Sequence, residues 1–136
     1  KKIVTFSKKS INDIFKEDGE NYFRKIESNI LSDLINTKNI VLSLGGGSIL
    51  NYNVRNELIK NSLSIFLDVD LKTLVNRLKK SNHRPLLKNT DINKKLIELD
   101  NQRREYYLKS DIKITNVESL DDTYQDLKKK IINLYE

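Results

Sequence analysis

Cysteine, methionine and tryptophan are absent from this 136-residue chain, which also has one proline, one histidine and four glycines. Without cysteine there is no disulfide, no thiolate metal site and no cysteine nucleophile. A single histidine gives no basis for a His-rich metal centre, so a metal here would be oxygen-bound and carried in with a substrate. A translated chain starts with methionine; its absence predicts that Lys1 is not the natural beginning unless a leader has been processed away. No run approaches the roughly 20 apolar residues of a membrane span, and the first residues lack the apolar core of a signal peptide. The expectation is a soluble, cytoplasmic chain with no membrane partner.

Positive charge is the next imbalance: 25 Lys and Arg against 19 Asp and Glu, a net +6. The lysines are spread along the chain, with no RNP-like aromatic stretch, no finger spacing and no compact basic helix, so nucleic acid is not the expected partner. The charge suits small anionic ligands equally well.

The length suits one domain, residues 1–136, with a single core. Ser10 with Asp13 predicts a capped short helix over "SINDIFKE" (10–17), with Ile11, Ile14 and Phe15 on one face and a break at Asp18-Gly19. A longer helix is predicted from Glu20 to near Asn36, with Phe23, Ile26, Ile30, Leu31, Leu34 and Ile35 at helical spacing. "NIVLSL" (39–44) reads as a buried strand, 51–60 as a helix with Val54, Leu58 and Ile59 inward, and "SLSIFLDV" (62–69) as a second strand. A helix over 70–80 leads into the polar loop "SNHRPLLKNTD". Beyond it lie a helix over 91–108, a short strand "IKIT" (112–115) and a closing helix over 119–135. The alternation predicts an α/β layered fold, three layers α/β/α, with a mostly parallel sheet.

Four short stretches carry candidate chemistry. Gly45, Gly46 and Gly47 follow a predicted strand, where ligands of open α/β sheets bind. They either let a ligand lie on bare backbone or make a tight strand-to-helix turn. Glu20, Arg24 and Glu27 are spaced by four and three, so a guanidinium is flanked by two carboxylates, as a site or as a surface ion-pair ladder. "HRPLL" (83–87) fixes an arginine in extended geometry before proline, either in a lid whose Arg84 neutralises charge on a transferring group or in a stiffened connection. His83 is read as a bystander. In "NQRREYYLKSD" (101–111), Arg103 and Tyr107 face the same way and Arg104 points elsewhere. The planar fork of Arg103 suits a carboxylate, unless the stretch is a solvated charge face.

In order and separation, "SINDIFKEDGENYFRKIE", "LSLGGGSI", a strand ending "FLDV", an arginine pair "R-x6-R" (77–84) leading into "PLL", and "R-x3-Y" (103–107) resemble shikimate kinase, a small P-loop kinase of the nucleoside-monophosphate-kinase type. The resemblance runs from about Ile3 to Asp111. It implies transfer of the γ-phosphate of ATP, with Mg2+, to the 3-hydroxyl of shikimate, a step toward chorismate and the aromatic amino acids. By position, Arg24 resembles the arginine that holds the shikimate carboxylate, Arg103 its partner, and Glu27 the glutamate that supports the sugar-binding arginine. Gly45, Gly46 and Gly47 are similar to the glycine run beside the ring hydroxyls. Arg84 resembles the catalytic lid arginine over the phosphates of ATP, in a lid loop over 81–90, and Arg77 the residue packing on adenine. Residues 10–36 would form the substrate-binding helices.

The family also begins with a strand, a G-x-x-x-x-G-K-[ST] phosphate loop, a helix and a strand ending in Asp-x-Asp, none of which occurs in this sequence. The expectation is therefore an incomplete domain, missing its first strand-helix-strand unit and inactive by itself, with two strand edges left unpaired. The complete protein is expected to be a monomer. At the C-terminus, "TNVESLDDTY" stands where the family has a basic adenine-loop segment, so the resemblance does not carry the family's adenine contacts over to it. A gluconate-type kinase of the same fold and a non-catalytic carboxylate-binding module are the alternatives.

Overall fold

The computed structural model describes residues 2–79, 91–115 and 119–136, which fall into two compact units.

The first unit, residues 2–62, is helical. Helix α1 (Lys2–Ser7) occupies a stretch to which the sequence pattern assigns no element, and ends where Lys8 takes a left-handed conformation at φ 55°. Ser10 then caps α2 (Ile11–Asp13), its Oγ accepting from the Asp13 N–H at 3.1 Å and donating to Asp13 Oδ2 at 2.6 Å. This turn runs on as one π-helical turn, Ile14–Asp18, which Gly19 closes at φ 83°, a conformation that side chains resist. Helix α3 (Gly19–Ile35) follows at once. Its buried face carries Phe23, Ile26, Leu31 and Ile35, as the spacing predicts, and also Glu27, which an apolar pattern cannot supply. Residues 48–50 form a short 3-10 turn, and Asn51 caps α4 (Tyr52–Asn61) through Oδ1, which accepts from the Val54 N–H at 3.1 Å.

The core of this unit joins Leu31 and Ile35 of α3 to Val54 and Leu58 of α4, with Leu42, Leu44 and Ile49 packed against them. Two expectations change here. Ile59 is exposed rather than inward, because Val54 and Leu58 lie on one line of the helix and Ile59 is a further 100° round. Residues 40–45 run as irregular chain and not as a strand, with Leu42 and Leu44 against the core and Val41 fully exposed. A strand needs a neighbour to share its ladder, and the other elements of this unit are helices.

The second unit, residues 63–79, 91–115 and 119–136, has strand β1 (Ile65–Asp68), helices α5 (Leu71–Lys79) and α6 (Ile92–Tyr107), strand β2 (Ile112–Thr115) and helix α7 (Leu120–Ile132). β1 and β2 are parallel, in register from Ile65 opposite Ile112 to Asp68 opposite Thr115. The order β1, α5, α6, β2 is the helical crossover that parallel pairing requires. Ile112 and Ile114 are buried and alternate with exposed Lys113 and Thr115, the period of two of a strand covered on one face. Among the described residues β1 pairs with β2 alone.

Caps fix the helices of this unit. Asp91 Oδ1 accepts from the N–H of Asn93 and Lys94 to open α6, and Ser119 Oγ accepts from the Asp122 N–H to open α7. At the start of the sheet Asp111 Oδ2 accepts from Ser64 N at 2.7 Å and Ser64 Oγ at 2.6 Å, while the Ile112 N–H donates to the Ser64 carbonyl. These hydroxyl and amide donors hold the Asp111 carboxyl below its ordinary range. Among the described residues no helix is long and apolar enough to cross a membrane.

Candidate functional site

Helical spacing brings Glu20, Arg24 and Glu27 to one face of α3, and side-chain geometry makes them a single cluster. Arg24 Nε and Nη2 both donate to Glu20 Oε1, at 3.2 and 3.0 Å, and Nη1 donates to Glu27 Oε2 at 2.7 Å. The guanidinium also lies 5.1 Å from the centre of the Phe23 ring, which in turn packs on Phe15 at 4.8 Å. Glu27 is 6 % exposed. A buried carboxylate is tolerated only when it is paired, and Arg24 supplies the pair. An exposed ion-pair ladder would leave both partners in water, so this cluster is more than that.

The glycine run meets the same cluster. A Cβ on Gly47 would overlap the Arg24 guanidinium, and one on Gly45 would come within 2.9 Å of Glu27 Oε1. Gly45 and Gly47 thus owe their smallness first to two side chains of α3, rather than to a ligand or to a tight turn alone. Gly47 is followed by Ser48, 2 % exposed, whose Oγ is buried with no hydrogen-bond partner among the described residues.

These groups line a cavity of about 310 Å3, with Glu20, Arg24 and Glu27 along one wall and Gly47, Ser48 and Asn51 along the other. Asn51 ties the walls together: while its Oδ1 caps α4, its Nδ2 donates to Ser28 Oγ of α3 at 3.2 Å. The cavity therefore offers one arginine fork and, at Gly47, backbone free of a side chain, with the Ser48 hydroxyl buried behind it. Ser48 and Asn51 escaped the sequence reading. Their only signals are position, directly behind the glycines and three residues before Val54 at a helix start.

In the second unit Arg103 is half-buried and its Nε has no hydrogen-bond partner among the described residues. Its neighbour Arg104 is committed elsewhere, to Asp68 at 2.9 and 3.3 Å and to Asp100 at 3.3 Å. Those carboxylates, Asp68 foremost, raise the Arg104 guanidinium further above its already high range. The two arginines thus divide as the spacing predicts. Tyr107 stacks on Phe66 of β1, ring centres 4.9 Å apart. Arg77 lies exposed on α5. Arg84, His83 and the lid over 81–90 lie outside the described residues.

The shikimate kinase family profile matches residues 1–134. The chain is 40 % identical over 124 residues to a shikimate kinase of Microcystis aeruginosa, covering 91 % of this chain and 64 % of that protein. A shikimate kinase of Rippkaea orientalis is 43 % identical over 112 residues, with 82 % of this chain and 59 % of the relative covered. Among solved structures, shikimate kinase of Aquifex aeolicus superposes with a TM-score of 0.82 at 30 % identity, over 98 % of this chain and 79 % of that one. That of Acinetobacter baumannii, solved in complex with shikimate, gives 0.87 at 27 % identity, over 98 % and 74 %. The helices and parallel strand pair are thus part of an α/β fold of the P-loop kinase type. The chain spans less than two thirds of the length of these two curated relatives. Matched along nearly its whole length by the family profile and by two solved folds, the chain belongs to the shikimate kinase family.

Proposed function

We propose that the protein to which this chain belongs transfers the γ-phosphate of ATP to the 3-hydroxyl of shikimate, and that the cavity on α3 receives the shikimate carboxylate. The observation that carries this reading is Arg24, a guanidinium anchored on one side by buried Glu27 and held on the other by exposed Glu20, at a cavity of about 310 Å3 that all three line. A planar fork on a rigid helix recognises a carboxylate by two parallel hydrogen bonds, and its anchor keeps it from leaving with the ligand. Gly47 offers backbone to the ring hydroxyls and Glu27 positions the arginine, whereas the assignment of Gly45 and Gly46 to those hydroxyls rests on the family resemblance. The assignment of Arg103 to the same ligand, and of Arg77 and Arg84 to ATP, with Arg84 in the lid, rests on the family resemblance alone.

ATP and Mg2+ are the family's cofactors, and this chain's described residues do not fit them. No group of three or more His, Cys, Asp or Glu side chains among the described residues could hold a metal ion, and the four glycines of the sequence form no G-x-x-x-x-G-K-[ST] loop. The 136-residue chain by itself is expected to bind shikimate at most, and not to phosphorylate it.

The test is turnover. The full-length protein is expected to convert shikimate to shikimate 3-phosphate with ATP, and Arg24→Ala to lower kcat/KM by about 100-fold, the loss of a charge-assisted bond pair. Arg24→Lys restores charge but not the fork and is expected to recover little of this. Turnover of gluconate in preference to shikimate would assign the site to a different carboxylated polyol.

A further inference from the structure

The cluster around Arg24 holds one carboxylate more than a site for an anion needs. Two carboxylates engage one guanidinium, so an incoming carboxylate meets a surplus of negative charge and a fork already engaged on both sides. The two partners are unequal. Glu27 is buried, makes the shorter bond at 2.7 Å, and lies beneath Gly45; removing it from Arg24 would strand a buried charge. Glu20 is close to half exposed, its side chain at 46 %, and accepts both of its bonds on the single oxygen Oε1. That is a weaker engagement than two oxygens meeting two N–H groups in parallel, and water waits for the side chain if it leaves. Glu20 and Arg24 both line the cavity, so the bond to be exchanged stands where a ligand arrives.

We infer that Glu20 is an internal stand-in for the ligand carboxylate. It holds the Nε and Nη2 side of Arg24 until a ligand offers two oxygens to the same edge, then turns out to solvent while Glu27 keeps its place. Glu20 thereby sets affinity and specificity together. A carboxylated ligand displaces it; a neutral ester or amide of the same ring does not have the charge to do so. The inference rests on the proposed reading of the cavity as a carboxylate site.

The experiment compares the full-length wild type with Glu20→Ala and Glu20→Gln, by calorimetric titration with shikimate and with its methyl ester. Shikimate is expected to bind the alanine variant about two- to five-fold more tightly, the range that an exposed ion pair spans, with the glutamine variant between. The ester is expected to bind all three alike. Weaker or unchanged shikimate binding in both variants would overturn the inference, because a residue that merely orients Arg24 weakens binding when it is lost. Should the alanine variant not fold, the glutamine variant decides alone. If the wild type binds no shikimate, the proposed function falls first, and the exchange is read separately from the Arg24 Nε–H resonance during titration with gluconate. Saturation at lower gluconate in the Glu20 variants supports the exchange; no difference from wild type refutes it.

Discussion

Arg24 and Gly47 are cut to fit each other: the guanidinium occupies the space that any side chain at position 47 would take. An arginine on a helix and a glycine 23 positions later are thereby one structural decision. The guanidinium is the mobile end of its side chain, so the fit governs where the fork points more than whether the unit folds.

Gly47→Ala is accordingly expected to let the unit fold but to displace the fork from its anchor, with a lowered melting temperature because buried Glu27 then loses its pair. KM for the carboxylated substrate should rise by about ten-fold, the equivalent of one charged hydrogen bond. A variant with wild-type KM would show that Arg24 finds its ligand from another position.

Glu27 ties the site to stability. Glu27→Ala removes the anchor and leaves the Arg24 N–H groups on that side without a partner, an expected cost of about 1–3 kcal/mol in urea unfolding. Glu27→Gln keeps an oxygen for Nη1 and should retain part of that stability. Equal stability in all three proteins would place Glu27 outside the fold's energetics.

Ser48 provides a sharper contrast between folding and binding. Its buried Oγ has no partner among the described residues, so Ser48→Ala removes an unsatisfied hydroxyl and is expected to be neutral or slightly stabilising. Combined measurement of unfolding and shikimate affinity decides its role. Weaker binding with undiminished stability would mean that the hydroxyl serves the ligand; weaker stability would reveal a partner in the folded chain.

Asp111 should make the second unit acid-sensitive. Its folded value lies below the ordinary carboxylate range because Ser64 donates to it through hydroxyl and amide. Its contribution is therefore present above the unfolded value of about 3.9 and is lost as pH falls through the lower folded value. Asp111→Asn should flatten the acid limb of stability against pH, measured by urea unfolding. An unaltered limb would dissociate this clamp from acid unfolding.

In the same unit Ile114 is fully buried on the covered face of β2. Ile114→Ala is expected to cost about 2–5 kcal/mol, and Ile114→Val roughly 0.5–1.5 kcal/mol. A loss below 1 kcal/mol for alanine would mean that the strand is not packed in solution as described.

The sequence by itself determined what depends on near neighbours along the chain. The cap at Ser10 opens a helix because its side-chain oxygen reaches an amide three residues on, a relationship contained in a few letters. Spacing of three and four likewise put Glu20, Arg24 and Glu27 on one face before any packing was known. The tertiary structure alone decided the rest. Residues 40–45 have a strand's composition, yet a strand exists only where another backbone accepts its hydrogen bonds, and the helical unit around them offers none. Ile59 looked inward until Val54 and Leu58 filled the contact with α3. Glycines 45 and 47 announced that something must come close, but the letters could not say that Glu27 and Arg24 come first. Burial of Glu27, isolation of the Ser48 hydroxyl and the unequal exposure of the two glutamates around Arg24 are relations in space between segments more than twenty residues apart or between side chain and solvent, and sequence patterns carry neither.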